Sequence, residues 1–357
     1  MGAQRVALRG IERAFQQGAV TSPMTAAEDR PAPALPARVF VTGASGFIGR
    51  ALVERCRALG AVVRGMDRVA DPARDVVAGD VSCDGDWQSH ARDCELFLHT
   101  AAVVSNTAPA ADYRAVTIGG TRRALDAAVA GGCRRFVHLS SIAAYGMDFP
   151  DGVAENHPVT ALSGLPYCNA KAASEHVVLA AHAAGEMDCT IVRPGDVYGP
   201  GSRPWILLPL AMMRQRLFVL PERGTGIFSP VYVDDLVDGI LLAATSAQAA
   251  GRVFNLTDGR GVACSEFFAH HWRWLGRRGA IPTLPAALAG RLAELVRWSF
   301  GVAGRPTEMS AASVKMLARR GTYSIAAAGA RLGYVPRVTV AEGMRRTQLW
   351  LEQSGYL

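Results

Sequence analysis

Tyr167 and Lys171 stand four residues apart in Pro166-Tyr167-Cys168-Asn169-Ala170-Lys171, so on a helix they share one face. A phenol with a pKa of about 10 is a poor base at neutral pH. A neighbouring ammonium, helped by an oxidised nicotinamide, favours the phenolate and brings it within range of general acid–base work. The chain carries 36 arginines and only two lysines, Lys171 and Lys315. Where arginine occupies nearly every basic position, a lysine at 171 points to a need for a compact ammonium on a flexible stem. A planar guanidinium does not replace that at a ribose hydroxyl. Lys315 has no comparable neighbourhood and reads as surface. Ser141, at the end of the run RRFVHLSS, is read from the residues alone either as a turn former or as a hydrogen-bond donor to a substrate oxygen.

A second cluster is Thr42-Gly43-Ala44-Ser45-Gly46-Phe47-Ile48-Gly49, which follows an apolar run and opens a helical one. Its glycines permit a tight turn, close backbone approach to a pyrophosphate, and close packing of helix on strand. The helix N-terminus offers free N–H groups to the anion. Asp67, at the end of the next apolar run, is suited to accept hydrogen bonds from an adenine ribose. Its charge disfavours a 2′-phosphate, so NAD is expected; Arg68 beside it keeps NADP as the alternative. Asp80, in Gly79-Asp80-Val81, could accept from the adenine amino group or serve only its own turn.

These residues need a frame. RVFVTG, AVVRGMD, ARDVVAGDV, CELFLHTAA, RRFVHLSS and CTIVRPG are short β-rich runs separated by helical stretches. That alternation predicts a Rossmann-type, doubly wound parallel sheet with helices on both faces, with ligands at the carboxyl ends of the strands. After Gly201 the alternation fades. The expected division is a dinucleotide-binding domain of residues 37–201 plus 231–260, and a smaller, mainly helical C-terminal substrate lobe of 202–230 plus 261–357. Residues 1–36 read as an N-terminal extension and Pro/Ala linker.

Composition removes several classes of function. The chain of 357 residues is 50% hydrophobic and 19% charged, which excludes a disordered chain. The net charge of +7 comes from arginines dispersed along the sequence, without zinc-finger spacing or an aromatic–basic RNA signature, so no nucleic-acid partner is expected. Seven scattered cysteines, none in a CxxC pair, suit reduced thiols in a cytoplasm. No uncharged apolar run approaches the length of a membrane span, and the start lacks the continuous apolar stretch of a signal peptide. His270-His271 has no carboxylate or cysteine at ligand spacing, so no metal site is assigned. Asp234, Asp235 and Asp238, at the start of a helix, are read as caps.

The spacing Gly-x-x-Gly-x-x-Gly, followed in order by HTAA (99–102), HLSSIAAYG (138–146), YCNAK (167–171) and RPGDVYGPG (193–201), resembles the extended short-chain dehydrogenase/reductase family. The family includes NAD-dependent epimerases and dehydratases and 3β-hydroxysteroid dehydrogenases. The resemblance covers about residues 37–350 and reaches LGYVPRVTVAEGM (332–344) in the tail. It implies that Ser141, four residues before Tyr145-Gly146, holds the substrate oxygen, that Tyr167 is the acid/base, and that Lys171 anchors the nicotinamide ribose and lowers the Tyr167 pKa. It further implies a cofactor site of Gly43, Ser45, Gly46, Phe47, Ile48 and Gly49, then Asp67, Arg68, Asp80 and Val81. Ala101, Ala102 and Pro194 join Tyr167 and Lys171 on its nicotinamide side. Substrate contacts are expected from Val104, Ser141, Tyr145, Asp196 and Phe228, and a homodimer is implied. Thr117, in VTIGGT, stands where members carry asparagine, which breaks any proton relay through that amide.

The sugar enzymes of the family place an arginine shortly before the YVxD strand, against a diphosphate. Here that position falls near Phe228, with no cation, and Asp196 stands where many of them have an amide. With apolar runs WILLPLAMM (205–213) and LAGRLAELVRWSF (288–300), this points to hydride transfer between NAD and an apolar secondary alcohol or ketone. A nucleotide-sugar epimerase or dehydratase is the alternative. The helix that carries the charged stripe Arg291, Glu294, Arg297 reads as a lid over an apolar substrate, a membrane-surface face, or a core helix or dimer contact.

Overall fold

The structure, a computed structural model, describes residues 35–305 and 307–357; the expected N-terminal extension lies almost wholly outside them. Seven parallel strands form the central sheet: β1 (Arg38–Thr42), β2 (Val62–Asp67), β3 (Val76–Ala78), β4 (Leu96–His99), β5 (Arg135–Leu139), β6 (Asp188–Pro194) and β7 (Arg252–Leu256). Their order is β3-β2-β1-β4-β5-β6-β7, so the direction of strand progression reverses between β1 and β4. That switch point opens a crevice at the carboxyl ends, where β1 delivers the glycine loop and β4 delivers Ala101 and Ala102. The strands read as continuous apolar runs because helices bury both faces. Val39, Phe40 and Val41 are fully buried, with α1 (Phe47–Ala58) on one face and α2 (Gly120–Ala130) on the other.

Past β6 the chain leaves the sheet. Asp196–Tyr198 pairs in parallel with Pro230–Tyr232, and Ile227–Phe228 pairs antiparallel with Val262–Ala263. Around these short ladders lie Leu208–Arg214, Cys264–Trp274, Ala286–Val302 and Ala311–Leu317, which form the helical lobe. The tail does not stay with that lobe. The helix Ala326–Leu332 packs against β7 and against the helix Val233–Thr245. Asp235 accepts the N–H groups of Arg337 and Val338, Asp238 pairs with Arg55 at 2.8 Å, and Tyr334 donates to the Thr257 carbonyl. Asp235, expected to cap its own helix, therefore clamps the tail to the nucleotide domain, while Asp238 ties that helix to α1. The sequence missed this because the partners lie a hundred residues or more away.

Candidate active site

The glycine loop is shaped as its sequence predicts. Gly43 has φ +69°, and a Cβ there would sit 2.7 Å from Thr100 Oγ1. A Cβ on Gly49 would sit 2.0 Å from the Gly43 carbonyl oxygen, so α1 reaches the strand only through a bare backbone. Gly46 is the residue before α1, and Phe47 and Ile48 form its first turn, half-buried against the core. Asp67 ends β2; its carboxylate accepts the Ser45 N–H at 3.0 Å and the Arg68 N–H at 2.7 Å. It thus stands at the mouth of the loop, where a ribose would lie, while Arg68 is exposed. Asp80 accepts the Ser82 N–H at 2.7 Å, which holds its carboxyl below the usual range, and so serves its own turn; Val81 is buried against Gly120. Pro194 closes β6 beside Leu256. A dinucleotide fits this cradle: bare backbone at a helix N-terminus, and a carboxylate one strand away.

Ser141, Tyr167 and Lys171 come from two elements. Ser141 opens the short helical turn Ile142–Tyr145 and accepts the Ala143 N–H at 3.1 Å. Tyr167 and Lys171 lie in α3 (Pro166–Ala183), whose first residue is a proline with φ already set for a helix. Burial pushes the Tyr167 phenol up to about 12, opposed by the Ser141 hydroxyl beside it. Lys171 does not figure among the groups that shift Tyr167. Its ammonium donates to the Leu139 carbonyl at 2.8 Å, and burial pulls it down to about 8 against the opposing charge of Glu175. In this structure the Lys171 ammonium is thus engaged by the end of β5 rather than by the Tyr167 phenol.

Beneath the pair lies a network the sequence reading did not name. Glu175 is fully buried and grips Arg193 twice, Oε1 to Nε at 2.9 Å and Oε2 to Nη2 at 2.6 Å, while accepting from Ser140. The Arg193 guanidinium lies 4.4 Å from the centre of the Tyr145 ring, and the Tyr145 hydroxyl donates to Asn255 at 3.0 Å. Glu175 could have been found: it continues the Tyr167, Lys171 spacing by one more helical turn. Asn255 carried no such signal. Thr117 lies in the π-helical turn Tyr113–Gly119 and accepts the Val103 N–H at 3.1 Å, fixing the loop that carries Ala101 and Ala102.

The expected substrate contacts divide. Val104 is exposed beside this loop, and Ser141 lies beside the Tyr167 phenol. Tyr145 is buried with its hydroxyl committed to Asn255. Phe228 is buried in an aromatic cluster, stacked on Phe267 at 3.9 Å and edge-on to Trp205, so it is core rather than cleft. Asp196 is also buried: it accepts the Ser229 N–H at 2.9 Å and forms an ion pair with Arg319. Arg319 donates as well to the Ile227 carbonyl, which puts a cation next to Phe228 after all. Separated by 123 residues from its partner, it had no local signature.

A doubly wound sheet, a glycine cradle at the switch point and a Tyr/Lys pair on the helix that joins β5 to β6 define a dinucleotide-binding α/β protein. The model of the NAD dependent epimerase/dehydratase family matches residues 39–257, and the chain belongs to that family. NAD is accordingly its cofactor. A ketoreductase of Stigmatella aurantiaca, named for 4-hydroxy-2-methyl-3-oxo-4-farnesyl-3,4-dihydroquinoline-1-oxide, is 29% identical over 86% of this chain and 94% of its own. A 3 beta-hydroxysteroid dehydrogenase/Delta 5-->4-isomerase of Mycobacterium tuberculosis is 29% identical over 86% of this chain and 88% of its own. A UDP-glucose 4-epimerase of Mycolicibacterium smegmatis is 28% identical over 87% and 97%. The fold matches UDP-glucuronic acid 4-epimerase from Bacillus cereus with a TM-score of 0.71 at 20% identity, covering 88% of this chain and 99% of that one.

Proposed function

We propose that this enzyme interconverts a secondary alcohol and a ketone on an apolar, steroid-, terpenoid- or lipid-like substrate. One observation carries the choice of substrate. The cation nearest the position where sugar enzymes hold a diphosphate, Arg319, is buried and already neutralised by Asp196. A diphosphate placed there would face an occupied guanidinium and a competing carboxylate. The activities for which the ketoreductase and hydroxysteroid relatives are named point the same way.

When bound, NAD supplies the hydride acceptor or donor. Tyr167 moves the proton at the reacting oxygen, and Ser141, which lies beside that phenol, holds the same oxygen in line. Lys171 offers an ammonium to a ribose hydroxyl, and the Glu175–Arg193 pair fixes α3 against β6 so that Tyr167 and Lys171 keep their register. Asp67 selects the cofactor by its ribose. The proposal includes a reducing, cytoplasmic setting, with which the free cysteines agree, and a homodimer, which rests on the family resemblance.

The alternative, a nucleotide-sugar epimerase or dehydratase, is favoured by the UDP-glucose 4-epimerase relative. Cofactor turnover separates the two, since an epimerase regenerates its NAD within each cycle. The test is an NADH-absorbance screen over hydroxysteroids, terpenoid alcohols and acyl ketones with both cofactors. Stoichiometric NADH formation on an apolar alcohol is expected. Stabilisation of the NAD-bound protein by UDP- or dTDP-sugars, with none by apolar alcohols, would overturn the proposal.

A further inference from the structure

The helix Ala286–Val302 turns its small residues inward, with Ala289 and Ala293 buried, and its large ones outward. Leu288, Leu292, Leu295, Trp298 and Val302 follow steps of four, three, three and four, which places them on one face. They are open to solvent: Leu295 is 58%, Trp298 66% and Val302 73% exposed. Single exposed apolar residues need no explanation, but five on one helical face mark a surface built to be covered. The helix is not long and apolar enough to cross a membrane.

The charges around this face have one sign. Among the described residues Arg291, Arg305 and Lys315 make no ion pair. The carboxylates of the same region are turned inward or already matched. Glu294 pairs with Arg297 and accepts the Ala311 N–H, and Glu308 accepts from Ser105 and from the Asn106 N–H. A second copy docked face to face would set these cations against themselves. Residues 1–34 hold four arginines against three carboxylates, so they bring no excess of negative charge to match this face. Anionic headgroups complement it, with leucines and tryptophan below and arginines reaching outward.

We infer that the 286–302 face docks on an anionic lipid surface, the helix lying in the interface. Its neighbourhood gives the docking a use. The adjoining helix Ala311–Leu317 bonds the loop after β4, Asn106 Nδ2 donating to Ser313 Oγ at 3.2 Å. Tyr113, on the same side of the cleft, donates to the Ser105 carbonyl and is among the groups that shift Tyr167. The docked face thus borders the rim of the catalytic cleft, where a substrate dissolved in lipid would enter. The docking itself does not depend on the substrate class proposed above, and its readout is binding rather than turnover.

The experiment is co-sedimentation of the full chain with phosphatidylcholine vesicles, with and without an equal share of phosphatidylglycerol. Sedimentation with the anionic vesicles alone, weakening as salt rises, is expected. The Leu295→Glu/Trp298→Glu variant should lose about tenfold or more in partitioning while keeping its melting temperature and its stabilisation by NAD. A parent protein that stays in the supernatant, or a variant that sediments equally well, overturns the inference. So does loss of sedimentation on deleting residues 1–34 with the helix intact. A dimer that the double variant splits, in a protein that ignores vesicles, would assign the face to a second copy instead.

Discussion

Glu175→Gln is the most informative single substitution, because the carboxylate serves two neighbours at once. It holds Arg193 by two hydrogen bonds inside the core, and its charge is what opposes the desolvation of Lys171. The amide keeps the shape and one acceptor but leaves the Arg193 guanidinium buried without its counter-ion. Removing one partner of a buried pair costs about 3–5 kcal/mol; with one acceptor retained, about 3 kcal/mol is expected. For a chain of this size that is a fall of roughly 4 °C in melting temperature. The second effect is on catalysis. Lys171 is already held down to about 8, and losing the Glu175 charge lowers it further. The ammonium is present below this pKa and lost as pH rises through it. The high-pH limb of kcat/KM, which reports groups of the free enzyme, should therefore move toward neutrality in the variant. Thermal unfolding and a pH profile read the two effects separately. A Glu175→Leu/Arg193→Met double variant, with neither member of the pair left uncompensated, should recover most of the stability and none of the pH profile. A single variant that melts within about 1 °C of the parent and keeps its alkaline limb would refute the reasoning.

Tyr167→Phe should lower kcat by about 10²–10⁴ while leaving the NAD-induced rise in melting temperature intact; undiminished turnover would remove Tyr167 from the acid/base role. Gly49→Ala forces a Cβ to within 2.0 Å of the Gly43 carbonyl oxygen, so the loop must shift. A loss of about 1–3 kcal/mol in stability is expected, with the stabilisation by NAD largely gone on a melting curve. Asp196→Asn keeps an acceptor for Ser229 but leaves Arg319 uncompensated. The variant should melt lower and gain stabilisation from UDP; a parent that gains as much from UDP would show that Asp196 does not gate that cation.

Much of the site was legible in the chain because it depends on local geometry. A glycine loop must follow a strand and open a helix, and Tyr167 and Lys171 must share a helical face. Both conditions are met within a few residues, and β1, α1 and α3 meet them. Asp67 was legible for the same reason, as the end of the strand paired to β1. Glu175 stood within the same periodicity and was passed over, since its partner Arg193 arrives only when β6 packs beneath α3.

By itself, then, the sequence determined the doubly wound frame, the glycine loop at its switch point and the shared helical face of Tyr167 and Lys171. Tertiary structure decided what surrounds them. It set Arg319 on Asp196 across 123 residues, withdrew Phe228 and Tyr145 into packed clusters, and returned the tail to the sheet through Asp235. It also left one face of Ala286–Val302 uncovered. Burial and long-range ion pairing depend on which distant elements meet in the folded chain. A linear pattern carries the period of a helix but not the identity of what lies against it.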